Sequence, residues 1–399
     1  MAASPQLVLQ SLGNKTERYV FLDLYRALIV LFMLEGHVLR ELIVPSLHAT
    51  QFFAWHEIFH GISGPGFLFS SGFTFAIAAQ RKWQQAIVLN KKFFQRLWRI
   101  LLLIFIGYGL HVPYLSLSKT LAQATSMQWS NFLAFDALQC IAVGLLIVRL
   151  SLFFFKQERP FIIFIAVLLL IFVYTAPYCW ILPIHTIPLW LTSILNGVTG
   201  SPFPLFPYVG FLFAGVLTAW LFLREAQSGN AVRYIRSMLF VGTGILFAGF
   251  LLDALPFQTY PVYDYWHTSP NFFLIRLGIL LLMLGSLWHI EKFLSFHNLL
   301  QTRGTHWFIV LGIESLFVYI AHLVVLCGWT INAEANLRWW FGGKCSFAAA
   351  LLISAAVILA MIPMALFWNY LKKNHLIVAR GISWWMGFCI AWSFLFHPY

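Results

Sequence analysis

Apolar runs of about twenty residues recur along most of the chain, and this feature constrains the fold more than any other. A helix needs roughly 20 predominantly apolar residues to cross about 30 Å of hydrocarbon. Such runs lie at roughly 20–42, 59–79, 94–113, 132–155, 160–177, 204–223, 234–253, 272–290, 307–328, 346–369 and 380–396. Backbone polar groups in lipid must be bonded internally, so segments of this kind read as helices. The pattern predicts an all-α, polytopic integral membrane protein with about eleven transmembrane helices. Composition agrees: 61% of residues are hydrophobic and only 10% charged, too few to clothe a soluble domain. The proline- and aromatic-rich stretch from Pro177 to Pro207 reads as re-entrant or interfacial.

Basic residues set the expected orientation. Lys15 and Arg18 precede the first run, while Arg81, Lys82, Lys91 and Lys92 follow the second. Lys156 and Arg159 follow the fourth, and Arg224, Arg233 and Arg236 the sixth. Lys292 and Arg303 follow the eighth, and Lys372, Lys373 and Arg380 the tenth. The alternate loops are poor in Lys and Arg. By the positive-inside rule the N-terminus is cytoplasmic and, after an odd number of crossings, Tyr399 lies outside. The net charge of +12 then reflects topology and contact with anionic lipid rather than nucleic acid. Residues 1–19 are polar, lack the layout of a cleaved signal peptide, and read as a cytoplasmic segment before a single domain at 20–399. Of five cysteines, Cys179, Cys327 and Cys345 are expected near the oxidising outer face, but an odd count without framework spacing gives only weak grounds for a disulfide.

Ionisable residues in apolar runs are costly and mark candidate sites. The first run carries Asp23, Arg26, Glu35 and His37. Arg26 and His37 are eleven residues apart, close to three helical turns, so both project from one face, separated by roughly 16 Å along the axis. Asp23 and Arg26, at i and i+3, suggest a structural ion pair. His56, His60, His111, His322, Asp136, Gln139 and Arg276 all fall toward the expected outer side. Arg96 and Arg99, one turn apart, fall at the inner side, where they serve as anchors or as an anion site. This polarity suits a tunnel that an anionic ligand enters from the cytoplasm to react near the far side.

The pentapeptide HEIFH, His56 to His60, has the His-Glu-x-x-His spacing of zinc metalloproteases. A zincin also needs a third ligand and a helix that holds both imidazoles. Here GISGPG follows at once, disturbing the backbone where that helix should continue, and no Asp-Gly dipeptide supplies a third ligand. We therefore expect no metal. His56 and His60 instead share a face at the mouth of a pocket.

RYVFLDLYRALIVLFMLEGH resembles the first helix of the transmembrane acyltransferases, which include the acyltransferase-3 family and the heparan-α-glucosaminide N-acetyltransferase catalytic-domain family. Arg26 and His37 match the Arg-x10-His pattern of the acyltransferase-3 proteins. GPGFLFSSGFTFAIA is similar to their second helix and FDALQCIAVGLL to the Leu-Gln-x-Ile segment of the N-acetyltransferase branch. FPLFPYVGFLFAGVL resembles its Phe-Pro-rich helix, and LGIESLFVYIAH the late Gly-x-x-Ser-Leu-x-x-Tyr-x-x-His helix. The chain departs at Ala27, where the family usually has Gly, and it lacks the His-Ala-Ser-Trp-Asn-Gly stretch of the heparan enzyme. That enzyme has Asn at the His37 position and its catalytic His in the following loop, which leaves His37, His56 and His60 all open as the working histidine.

The resemblance implies an integral plasma (bacterial inner) membrane enzyme that transfers an acyl group, often acetyl from acetyl-CoA, to an extracytoplasmic sugar, glycan or lipid-linked acceptor. Arg26, Arg96 and Arg99 would hold the donor. His37, His56, His60, His322 and Asp136 would form the catalytic end, an imidazole acting as general base or nucleophile. Membrane lipids are further partners, and an oligomer is compatible with this reading. The rival classes are a transporter-like protein on the same fold and the zinc protease. The Arg26–His37 pairing favours the enzyme.

Overall fold

The computed structural model describes residues 18–182, 186–257, 260–261 and 267–397. Residues 1–17 of the expected cytoplasmic start, and Tyr399, lie outside these residues. Each of the eleven apolar runs contains a helix. We number the longer helices α1 (Val20–Leu42), α2 (Gln51–His60), α3 (Ser63–Gln80), α4 (Lys91–Leu110), α5 (Ala137–Phe154), α6 (Glu158–Tyr174) and α7 (Leu205–Gln227). They continue as α8 (Ala231–Asp253), α9 (Pro270–Phe296), α10 (Arg303–Ile313), α11 (Ser315–Leu326), α12 (Phe347–Asn374) and α13 (Leu376–Phe396).

Among the described residues, eight spans are long and apolar enough to cross a membrane, with α2 and α3 counted together, or nine if the bent pair α10–α11 is one span. The other two expected crossings differ for physical reasons. α6 has 17 residues, and α1 carries Asp23, Arg26, Glu35, Arg40 and Glu41 along its length. Between Pro177 and Pro207 the described chain forms only the short helices Ala176–Trp180 and Leu189–Leu195 before α7 begins.

α1 tolerates its charges because it lies at the centre. Phe21, Leu24, Tyr25 and Ile29 enter one buried cluster with α3, α5, α6, α7 and α9. Ala27, Val30, Met33, Leu34 and Val38 enter a second with α10, α11 and α12. The peripheral helices show the opposite pattern: Phe240 and Phe247 of α8 and Ile377, Trp384 and Trp385 of α13 are exposed, as lipid-facing side chains should be. Helix association in lipid relies on close packing rather than hydrophobic burial. At the α3–α7 contact a Cβ on Gly72 would lie 2.0 Å from the Leu212 carbonyl oxygen, and one on Gly215 2.0 Å from that of Phe69. Glycine at both places lets the two backbones touch.

The turn between α10 and α11 bends by 79°. Its pivot is Glu314, whose Oε1 accepts from Asn369 Nδ2 at 2.7 Å and from Lys372 Nζ at 3.0 Å. Oε2 accepts from Lys372 Nζ at 2.8 Å. A side chain held by α12 at the break gives this bend a cause, and it aims α11 back toward α1.

The expected Asp23–Arg26 pair does not form. Asp23 is bound by Arg18, with Nη2–Oδ1 at 3.0 Å, because Arg26 turns toward α3. All five cysteines are free thiols, so Cys179, Cys327 and Cys345 form no disulfide.

Candidate active site

The tripeptide Glu35-Gly36-His37, near the end of α1, organises the site, each residue receiving one histidine from a neighbouring helix. Glu35 takes His56 of α2: the imidazole Nε2–H donates to Oε1 at 2.8 Å and lies 3.0 Å from Oε2. His56 Nδ1 is buried and has no partner. Gly36 takes His60: a Cβ there would lie 1.7 Å from His60 Nδ1, so only glycine leaves room for the ring. His60 Nδ1 also approaches the Phe32 carbonyl at 3.5 Å, a weak contact.

His37 takes His322 of α11, with His37 Nδ1 2.9 Å from His322 Nε2. His322 Nδ1 lies 3.0 Å from the Val318 carbonyl. A carbonyl only accepts, so His322 carries its proton on Nδ1 and offers Nε2 as acceptor. His37 must then donate from Nδ1, which leaves the lone pair of its Nε2 free for chemistry. His322 is fully enclosed, whereas His37 is half-buried. The His37 ring lies 5.4 Å from that of His60 and 5.2 Å from that of His322, centre to centre.

Asp136 closes the group from α5. Its Oδ1 accepts from the Ala137 amide at 2.7 Å, capping the helix, and its Oδ2 accepts from the Tyr319 hydroxyl at 2.7 Å. Tyr319 sits one turn before His322, ring centres 5.7 Å apart, so one carboxylate ties α11 to α5 beside the histidines. One turn into α5, Gln139 is fully buried against Gly107 with neither amide atom partnered.

All five residues expected at the catalytic end thus meet where α1, α2, α5 and α11 converge. Three carboxylates, Glu35, Glu57 and Asp136, lie close enough to the histidines in sequence or space to orient an imidazole, and geometry separates them. Glu35 holds His56, Asp136 holds Tyr319, and Glu57 Oε2 lies 3.6 Å from Arg40 Nη1. The His-Glu-x-x-His helix does stop at His60, with Gly61 as its cap. Among the described residues no three His, Cys, Asp or Glu side chains converge as metal ligands do.

The expected donor end is less gathered. Arg26 Nη2 donates to Thr74 Oγ1 at 2.7 Å from a half-buried position between α1 and α3. Arg96 and Arg99 project from α4, Arg96 half-buried and Arg99 exposed. Two further residues, Tyr319 and Arg149, emerge, and Arg276, expected on the outer side, takes a definite place. Tyr319 is the Asp136 partner. Arg276 of α9 packs against Gly61, where a Cβ would meet its Nη2 at 2.0 Å, beside His60. Arg149 of α5 is 1% exposed. An arginine inside an apolar run is the sequence signal that would have marked Arg149. Nothing in the sequence brings Tyr319 to Asp136, 183 positions away.

Among curated proteins, none matches the chain significantly. The family model described as heparan-alpha-glucosaminide N-acetyltransferase, catalytic, matches residues 18–253, well over half of the chain. The match takes in Glu35, His37, His56, His60 and Asp136, while Arg276, Tyr319 and His322 come from beyond it. The chain belongs to the heparan-α-glucosaminide N-acetyltransferase catalytic family.

Proposed function

We propose that the protein is a multi-pass membrane acyltransferase, moving an acyl group, most simply acetyl, from a cytoplasmic CoA thioester to an extracytoplasmic sugar, glycan or lipid-linked acceptor. In this reading α1 and α6 also cross, giving eleven spans with the N-terminus cytoplasmic and the C-terminus outside. Excess Lys and Arg in alternate loops supports that topology, and the family supports the acetyl donor. That α1 joins both buried clusters supports reading residues 20–399 as one domain.

One observation carries the reading: the hydrogen-bonded chain from Val318 through His322 to His37. It leaves a lone pair on His37 Nε2, on the α1 face that also presents Arg26. Arg26, with Arg96 and Arg99 at the inner end, attracts the anionic donor, and the unpartnered Gln139 amide is a mate for an amide of its arm. His37 Nε2 accepts the proton of the acceptor amine or hydroxyl as that atom attacks the thioester carbonyl. The carbon–sulfur bond then breaks, and the imidazolium returns its proton to the leaving thiolate. His322 holds the required tautomer, Asp136 steadies α11 through Tyr319, and His56 and His60 orient the acceptor.

A second reading places the base at His56, favoured by the Glu35 carboxylate on its Nε2 and by the buried, unpartnered Nδ1. Single alanine variants decide between them. His37→Ala is expected to abolish transfer of radiolabelled acetyl while acetyl-CoA still binds by calorimetry; His56→Ala is expected mainly to raise the acceptor KM. Near-normal turnover in His37→Ala with loss in His56→Ala would move the base to His56. Loss of acetyl-CoA binding from the wild type would remove the proposal altogether.

A further inference from the structure

Arg149 takes no part in the scheme above. It lies five residues before the end of α5, about 7–8 Å inside the helix terminus. Its Nη1 donates to the Ala86 carbonyl at 2.7 Å, and its guanidinium lies 4.6 Å from the centre of the Phe93 ring of α4. Nε is buried without a partner, and among the described residues no carboxylate reaches it. Arginine stays charged at any pH the protein meets. Burying that charge without a counterion is costly, and one neutral carbonyl and one aromatic face offset only part of the cost. Arg96 stands three residues after Phe93 on the same face of α4, half-buried and likewise without an ion pair among the described residues. Two guanidinium groups share one junction, and among the described residues no acid pairs with either.

We propose that Arg149 and Arg96 form a phosphate-binding site at the inner end of the α4–α5 junction. The planar guanidinium edge suits phosphate oxygens, and Phe93 fixes the Arg149 plane. The segment over the site, residues 81–90, carries Ala86 on the short helix Trp83–Ala86. Two sources supply this chemistry: a phosphorylated nucleotide from the cytoplasm or the headgroup of an anionic phospholipid. In the nucleotide arm the inference rests on the donor reading above; in the lipid arm it does not.

Purified full-length protein in nanodiscs separates the two, with adenosine 3′,5′-bisphosphate as the soluble probe and phosphatidylglycerol against phosphatidylcholine as the lipid probe. Arg149→Lys retains charge but loses the fork; Arg96→Gln, at a half-exposed position, guards against misfolding of the first variant. We expect the phosphate ligand to bind wild type and to weaken by about tenfold in each variant. That loss seen in calorimetry with the bisphosphate makes the nucleotide the source. Selective retention of phosphatidylglycerol in native mass spectra, lost in both variants, makes it a lipid. If neither ligand depends on either arginine, the site does not exist, whatever the transfer assay shows. If the nucleotide binds normally to both variants and acetyl transfer persists, the enzyme reading stands without it.

Discussion

Gly36 shows how much one hydrogen atom decides. Replacing it with alanine sets a methyl group 1.7 Å from His60 Nδ1, so the imidazole must leave α1 while the Glu35–His56 and His37–His322 contacts keep their places. Gly36→Ala should therefore copy His60→Ala, raising the acceptor KM by about tenfold with a smaller change in kcat. Steady-state kinetics in membranes, normalised to expressed protein, test this; an unchanged KM would take His60 out of acceptor binding. Much of the cluster proposed as the catalytic end was legible at this scale, because ionisable residues in apolar runs are rare and costly. The pairing was not. Glu35, Glu57 and Asp136 were equivalent as sequence, and only the approach of α2 and α11 to α1 gives each its partner. Arg18 taking Asp23 is the same lesson, since helical spacing permits a pair without requiring it.

Among the elements, the α10–α11 break has the widest effect. The apolar pattern from 307 to 328 reads as one straight helix, and no proline marks the bend. Its cause is the buried Glu314 carboxylate held by Asn369 and Lys372. Glu314→Ala leaves the buried Asn369 amide without its acceptor, a cost on the order of 2 kcal/mol. A lowered thermal midpoint in detergent is expected, with acyl transfer reduced further because α11 carries both Tyr319 and His322. A normal midpoint and normal transfer would mean that the bend does not depend on this clamp. Lys372 is thus no neutral residue, and Lys373, exposed beside it, is the suitable comparison for donor binding. Arg26→Ala should weaken acetyl-CoA binding measured by calorimetry while Lys373→Ala leaves it unchanged; equal losses would reduce Arg26 to a surface charge effect.

For the whole molecule, hydropathy revealed the helical class and placed a helix in each apolar run, because lipid forbids alternatives. It could not rank them by depth. α1, the most charged, joins both buried clusters, whereas α13, with Arg380 as its single charged residue, lies at the edge with Trp384 and Trp385 exposed. Hydropathy measures what lipid tolerates and is silent about charges buried among protein neighbours. The proposed orientation separates donor and acceptor by the bilayer, and sidedness tests it most directly. Inverted membrane vesicles expose the cytoplasmic face, so radiolabelled acetyl-CoA is added outside and glucosamine is sealed inside as acceptor. The proposed enzyme predicts acetylated glucosamine in the lumen of wild-type vesicles and none in vesicles carrying His37→Ala. Product formed only when acetyl-CoA and glucosamine share one side, or formed equally by the variant, would contradict it.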